Sequence, residues 1–321
     1  MPVFKIHHIT YYQYDRPVKE NINQVKIFPV EDEMQEVKEF SIQVTGNPQI
    51  HTYFDFFGNK VGDFNVHLPH SELSIDCRIT VITKDQQLTH ESLPVTPLPE
   101  LKKQTNTQVF LFRLADPERI KSREQIDAIL KEINYRQLSV KDIAKECCSY
   151  VYRNFKYQKG ITNIETTVDE ILEHRFGVCQ DFAHVLLQLL RTAGIPARYV
   201  SGYICPNKSG LRGEGATHAW VEYYLPPLGW IGLDPTNNIL VASHHIKLAT
   251  GRDFTDCTPV KGMFKGIAKQ SLSVYVSVGY EDGHVFEDRN SVKMELQAGE
   301  GTEAWQSEYL ALMQQQQQQQ Q

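Results

Sequence analysis

The hydrophobic and polar positions divide the chain into two regimes. From Val3 to about Thr83, short segments rich in Tyr, Phe, Val, Ile and Thr are interrupted by the turn signals "TGNP" (Thr45–Pro48) and "FGNK" (Phe57–Lys60), a pattern that predicts antiparallel strands. A proline-bearing stretch, "ESLPVTPLPEL" (Glu91–Leu101), has neither strand nor helix periodicity and reads as a linker. Beyond it the period lengthens. In "LSVKDIAKECCSYVYRNFKY", Ser139 can cap a helix whose apolar stripe is Val140, Ile143, Ala144, Cys147, Val151 and Phe155. A second helix carries Phe182, Leu186, Leu189, Leu190 and Ala193 on one stripe and His184, Gln188, Arg191 and Thr192 on the other, and Gly194 followed by Ile195-Pro196 ends it.

Strand periodicity then returns. "ATHAWVEYYL" alternates His218, Trp220, Glu222 and Tyr224 with Ala219, Val221, Tyr223 and Leu225; "PPLG" turns the chain and "WIGLDPT" runs back. "SLSVYVSVGYE" (Ser271–Glu281) adds a further strand. The expectation is an α+β protein. Residues 1–95 form an antiparallel, sandwich-like β domain, 96–138 a linker and helical connection, and 139–287 a core with a helix packed on an antiparallel sheet. Residues 288–321 form a polar tail ending in glutamines, expected to be disordered.

Composition narrows the partners. With 33 basic and 39 acidic residues, a net charge of −6 and no long Lys/Arg run, the chain is not expected to bind nucleic acid. No segment reads as a signal peptide or membrane span, so a cytoplasmic location and no membrane partner are expected. The six cysteines form no C-x-x-C pair, and free thiols are expected. No cofactor is called for.

One cysteine stands apart. In "RFGVCQDFAH" (Arg175–His184), Cys179 opens the second helix, where unpaired N–H groups and the positive end of the dipole favour a thiolate. Gly177 would let another chain approach the sulfur. His184, five residues on, lies about 140° around the helix from Cys179 and is not expected to be its base. Downstream, a three-residue loop pairing Leu225 with Gly229 would put His218 and Asp234 on one sheet face as diagonal neighbours, whereas a four-residue loop would separate them. Cysteine as nucleophile, histidine as base and acid and aspartate as orienter make an acyl-transfer set.

These residues resemble the catalytic core of the transglutaminase-like superfamily: "GVCQDFAHVLLQLLRTAGIPARYVSGY", then "THAWVEYYLPPLGWIGLDPTNN". "ITYYQYDRPVKENINQVKIFPV" and "GRDFTDCTPVKGMFKG" are similar to segments flanking that core in a bacterial branch described as transglutaminase-like enzymes or proposed cysteine proteases. The resemblance implies a papain-like core in which Cys179, His218 and Asp234 are catalytic. Gln180 stands where the animal crosslinking enzymes carry tryptophan, and no acidic cluster suggests calcium sites. Gln180, Asp181, Trp220, Tyr157 and Gln158 are secondary candidates for substrate or oxyanion contacts, with Asp181 read first as an ordinary first-turn carboxylate that complements the helix dipole. The expected activity is a cysteine hydrolase cleaving a peptide or protein amide through a thioester. The alternatives are amine transfer from the same thioester, a non-catalytic binding protein, and a zinc site built from Cys179, His184, His218 and Asp234, whose spacing matches no familiar motif.

Overall fold

One 23-residue strand, β1 (Val3–Val25), organises the N-terminal half. The computed structural model describes residues 1–84, 88–104, 109, 112, 121–158, 166–205, 211–212, 216–280, 285–286 and 294–296. The expected glutamine tail and Glu281 lie outside them. The side chains of Phe4, Ile6, His8, Thr10, Tyr12 and Tyr14 alternate into the core along β1, which fixes its register. The strands β2 (Gln35–Val44), β3 (His51–Phe54), β4 (Lys60–Val66) and β5 (His70–Thr83) follow. A register shift between Gln13 and Val18 lets β1 pair with β5 over its first part and with β4 over its last, so one strand serves both halves of a bent sheet.

The "ESLPVTPLPEL" stretch is pinned rather than free: Leu93 and Leu101 are buried, and the Lys141 ammonium donates to the Leu93 carbonyl at 2.7 Å. The connection contains helices α1 (Leu98–Gln104) and α2 (Arg123–Glu132). Helix α3 (Val140–Asn154) starts at the Ser139 cap and buries its predicted stripe completely or nearly so. Next come β6 (Lys156–Tyr157), α4 (Val168–His174), β7 (Phe176–Gly177) and α5 (Cys179–Ala193). Gly194 ends α5 in the left-handed conformation with φ 89°, and Ile195 N–H returns to the Leu190 carbonyl.

Strands β8 (Ala197–Ile204), β9 (Ala216–Leu225), β10 (Gly229–Asp234), β11 (Ile239–Leu240) and β12 (His245–Gly251) form an antiparallel sheet in the order β11-β10-β9-β8-β12. Helix α5 packs on β8 and β9 on one side and on α2, α3 and α4 on others. It is therefore a central helix, and the predicted polar stripe is its least buried face: His184, Gln188 and Thr192 are half-buried and Arg191 is buried. The stripe is used internally: Arg191 donates to the carbonyls of Ala197 and Arg252, and His184 accepts from Phe254 N–H.

After the short helix α6 (Phe254–Cys257), β13 (Val260–Lys265) and β14 (Gln270–Tyr280) pair with β1. Both lie within the 139–287 segment expected as the core, and β14 was expected as a strand there; strand alternation marks a strand but carries no information about which sheet receives it. The N-terminal half also covers the edge strand β12. Val30 N–H and the Gln35 amide donate to the Lys247 carbonyl at 3.0 and 2.9 Å, and Asn59 exchanges two hydrogen bonds with the Thr250 backbone at 2.7 and 2.8 Å.

Candidate active site

Cys179 is placed by the short parallel ladder that precedes it. Arg175, left-handed at φ 59°, ends α4, and Phe176-Gly177 then pairs with Lys156-Tyr157. Gln158 N–H reaches the Gly177 carbonyl at 2.9 Å. The chain enters α5 with an Asp181 carboxylate oxygen accepting Val178 N–H at 2.9 Å, so Asp181 satisfies an otherwise unpaired first-turn donor. A Cβ on Gly177 would lie 2.6 Å from that same carboxylate. Glycine is needed here to seat the Asp181 cap, not to open a path to the sulfur.

The hairpin takes the register that brings His218 and Asp234 together: Gly229 pairs with Leu225 and Leu233 with Val221. His218 Nε2 then lies 2.9 Å from Asp234 Oδ2. Both side chains and Cys179 are completely buried. With Nε2 committed to Asp234, Nδ1 is the nitrogen left for the Cys179 side chain, and it has no other partner among the described residues. Burial alone would depress the His218 pKa, but the Asp234 carboxylate and then the Cys179 side chain outweigh it, and the pKa is pushed up to about 10.

A buried carboxylate needs donors, and Asp234 has them on both oxygens. Oδ1 accepts the backbone N–H groups of Thr236 at 2.8 Å and Asn237 at 3.3 Å. Oδ2 accepts His218, the Asn237 amide at 2.7 Å and His245 Nε2 at 3.3 Å. Burial opposes its charge, yet the two histidines hold the carboxyl well below the usual carboxylate range. It therefore remains an anion that accepts without taking the proton. The Cys148 thiol donates to the Asp234 carbonyl at 3.6 Å, which ties α3 to the end of β10.

The secondary candidates separate. Tyr157 is held beside Cys179: burial raises its pKa first, and the Cys179 side chain is the next largest cause. Its ring meets Phe182 edge-on at 6.2 Å. Gln158 contributes its backbone to the ladder. Gln180 is buried, and neither polar atom of its amide finds a partner among the described residues. Trp220 is buried against the catalytic histidine candidate, with ring centroids 6.3 Å apart. The four-ligand zinc set does not converge, because the His184 ring faces the Phe254 N–H and packs 5.3 Å from Tyr199. Burial lowers the His184 pKa to about 4, which keeps it neutral.

Two residues escape the sequence reading: His245 and Asn237. Asn237 lies three residues beyond Asp234 in "DPTNN", and its amide also exchanges hydrogen bonds with the Arg212 backbone at 2.7 and 3.2 Å. His245 belongs to "SHHIK" at the start of a strand whose sequence neighbours give no sign that it returns to Asp234. A small cavity of about 100 Å³ between the sheet and the N-terminal half is lined by Gln35, Trp220, Glu222, Trp230, His245 and Lys247 among others. Cys179, His218 and Asp234 do not line it, so it lies behind the reacting groups.

Comparison with known proteins bears on the family and the fold. Residues 127–235 match the family profile described as transglutaminase-like superfamily, and residues 4–82 match the bacterial transglutaminase-like N-terminal region. An uncharacterized protein of Mycobacterium leprae is 29% identical over 292 residues, covering 85% of this chain and 97% of its own. A protein-glutamine gamma-glutamyltransferase of Pseudomonas aeruginosa is 39% identical over 83 residues, which are 24% of this chain and only 12% of that protein. The solved structure of a proposed cysteine protease from Cytophaga hutchinsonii superposes with a TM-score of 0.67 at 24% identity, covering 92% of this chain and 97% of the other. That likeness carries the fold.

Proposed function

We propose that this chain, which belongs to the transglutaminase-like superfamily, is a cysteine hydrolase that cleaves an amide bond in a peptide or protein. The observation that carries the reading is the buried His218–Asp234 hydrogen bond at 2.9 Å, with the remaining imidazole nitrogen turned to a cysteine that opens a helix. In the first half-reaction, His218, its pKa raised by the Asp234 carboxylate, already holds the Cys179 proton on Nδ1, and Cys179 Sγ attacks the carbonyl carbon as the thiolate. The tetrahedral oxyanion is held by first-turn N–H groups of α5, with Tyr157 close by. Collapse breaks the C–N bond, His218 returns the proton to the leaving nitrogen, and a thioester remains. Water activated by His218 then releases the acid and restores the thiol. Asp234 holds the imidazole and its charge throughout.

Amine transfer is the second reading, favoured by the resemblance of the core to a relative named for glutamine transfer. An amine attacks the same thioester and leaves as an amide. The acceptor is chosen by water access and site walls rather than by the three reacting groups. Intact-mass analysis of glutamine-containing peptides treated with the protein, with and without a primary amine, separates the two. Acid product alone supports hydrolysis, amide adduct supports transfer, and identical results from wild type and Cys179→Ala contradict both.

A further inference from the structure

The Asp234 oxygen that accepts from His218 also accepts from a second histidine, and several contacts of the fold hold that histidine in place. His245 begins β12, and its side chain is fully buried, with Nε2 3.3 Å from Asp234 Oδ2. Its Nδ1 accepts the Ala242 N–H at 3.4 Å, while its own N–H returns to the Ala242 carbonyl at 3.0 Å. An Nδ1 that accepts cannot carry the proton of a neutral imidazole, so the proton sits on Nε2 and is donated to Asp234. The donor atoms of His218, Asp234 and His245 lie within 4.8 Å of one another, a spacing a metal ion could use. The Ala242 contact favours hydrogen bonding instead, since a protonated Nε2 is no ligand.

The turn that carries His245 is fixed by three separate parts of the protein. Val241 N–H donates to Gly232 in β10 at 3.0 Å, and Cys205 N–H, just after β8, donates to the His244 carbonyl at 2.8 Å. The Thr83 hydroxyl, at the end of β5, donates to the Ser243 carbonyl at 2.5 Å. Trp220 stands edge-on to the His245 ring at 5.2 Å and next to His218, closing the space between them.

We infer that His245 is a positioning residue: by donating Nε2–H to Asp234 Oδ2 it locks the carboxylate in the orientation that holds His218, and the N-terminal β half steadies it through Thr83. This rests on the reading of Cys179, His218 and Asp234 as the reacting set. A carboxylate held on one edge alone can rotate as the imidazole gains and loses its proton. The His245 and Asn237 donors on Oδ2, together with the backbone donors on Oδ1, remove that freedom.

The test uses two amides that mimic different imidazole nitrogens. His245→Gln places its NH2 where Nε2 was, whereas His245→Asn places its amide near Nδ1 and cannot reach Asp234. In a Cys179→Ala background, the downfield imidazole N–H resonance that disappears in His218→Ala should persist in His245→Gln and be lost to solvent exchange in His245→Asn. With Cys179 present, its alkylation by iodoacetamide should slow about 10- to 100-fold in His245→Asn, the value of one charge-assisted hydrogen bond, and stay within about threefold of wild type in His245→Gln. If the Asn variant matches wild type in both measurements, or the Gln variant falls as far as the Asn variant, the positioning role is wrong. A His218→Ala variant that alkylates like wild type instead overturns the catalytic reading, and the resonance then decides the role of His245 by itself.

Discussion

Asp234→Asn exchanges one oxygen for NH2 in a site where both oxygens accept hydrogen bonds. If the NH2 replaces Oδ1, it faces the N–H groups of Thr236 and Asn237, which are fixed by the backbone. If it replaces Oδ2, it faces His218, His245 and the Asn237 amide, of which His218 can adapt by moving its proton from Nε2 to Nδ1. In the second orientation His218 Nε2 becomes the acceptor of the new NH2. The imidazole then presents N–H to the Cys179 side and cannot take the thiol proton. A wrong tautomer of this kind costs a factor of about 10⁴ in turnover. The donors left facing one another, and the lost buried ion pair, should cost about 3–5 kcal/mol of stability. Iodoacetamide alkylation of Cys179 followed by intact mass, beside urea unfolding, reads both quantities. An Asn variant that alkylates within about threefold of wild type near pH 6 would refute the tautomer argument.

Other expectations test other links. Glu222 is buried between Arg198 at 2.6 Å and Lys247 at 2.7 Å; burial opposes its charge, but the two cations lower its pKa from 4.5 to about 2. Its folded pKa lies below the unfolded one, so the stabilisation, roughly 3 kcal/mol, is present above pH 4.5 and is lost as pH falls towards 2. Wild type and Glu222→Gln should thus differ at pH 7 and converge on acidification, as urea midpoints will show; a gap independent of pH contradicts this. Gly177→Ala forces its new Cβ into the Asp181 carboxylate at 2.6 Å and should cost about 1–3 kcal/mol, with slower Cys179 alkylation because the helix start moves. Unchanged melting and reactivity would show the cap to be dispensable.

Local pattern carried the elements a long way. Ser139, the α3 stripe and the Gly194 stop are decided within one or two turns, so they could be read from residues a few positions apart. The pairing of His218 with Asp234 was legible as one of two registers, one with a three-residue loop and one with a four-residue loop, and the structure takes the first. What could not be read depends on distant chain. The partners of Arg191 and His184 on the α5 polar stripe come from Arg252 and Phe254, and the assignment of β13 and β14 to β1 spans more than 200 residues. His245 reaches Asp234 from the start of β12, which pairs with β8 and not with β10, an order that no local period encodes. Gly177 misled for a related reason: its close neighbour is a side chain four residues ahead, brought back by the helix turn.

The most direct measurement is the mass of the protein during turnover of an activated amide or ester at a glutamine side chain. A transient adduct equal to the acyl group, located at Cys179 by peptide mapping, released by water or captured by an added amine, and missing in Cys179→Ala and His218→Ala, is the predicted result. Turnover that survives Cys179→Ala, or an adduct on any other residue, would contradict the account.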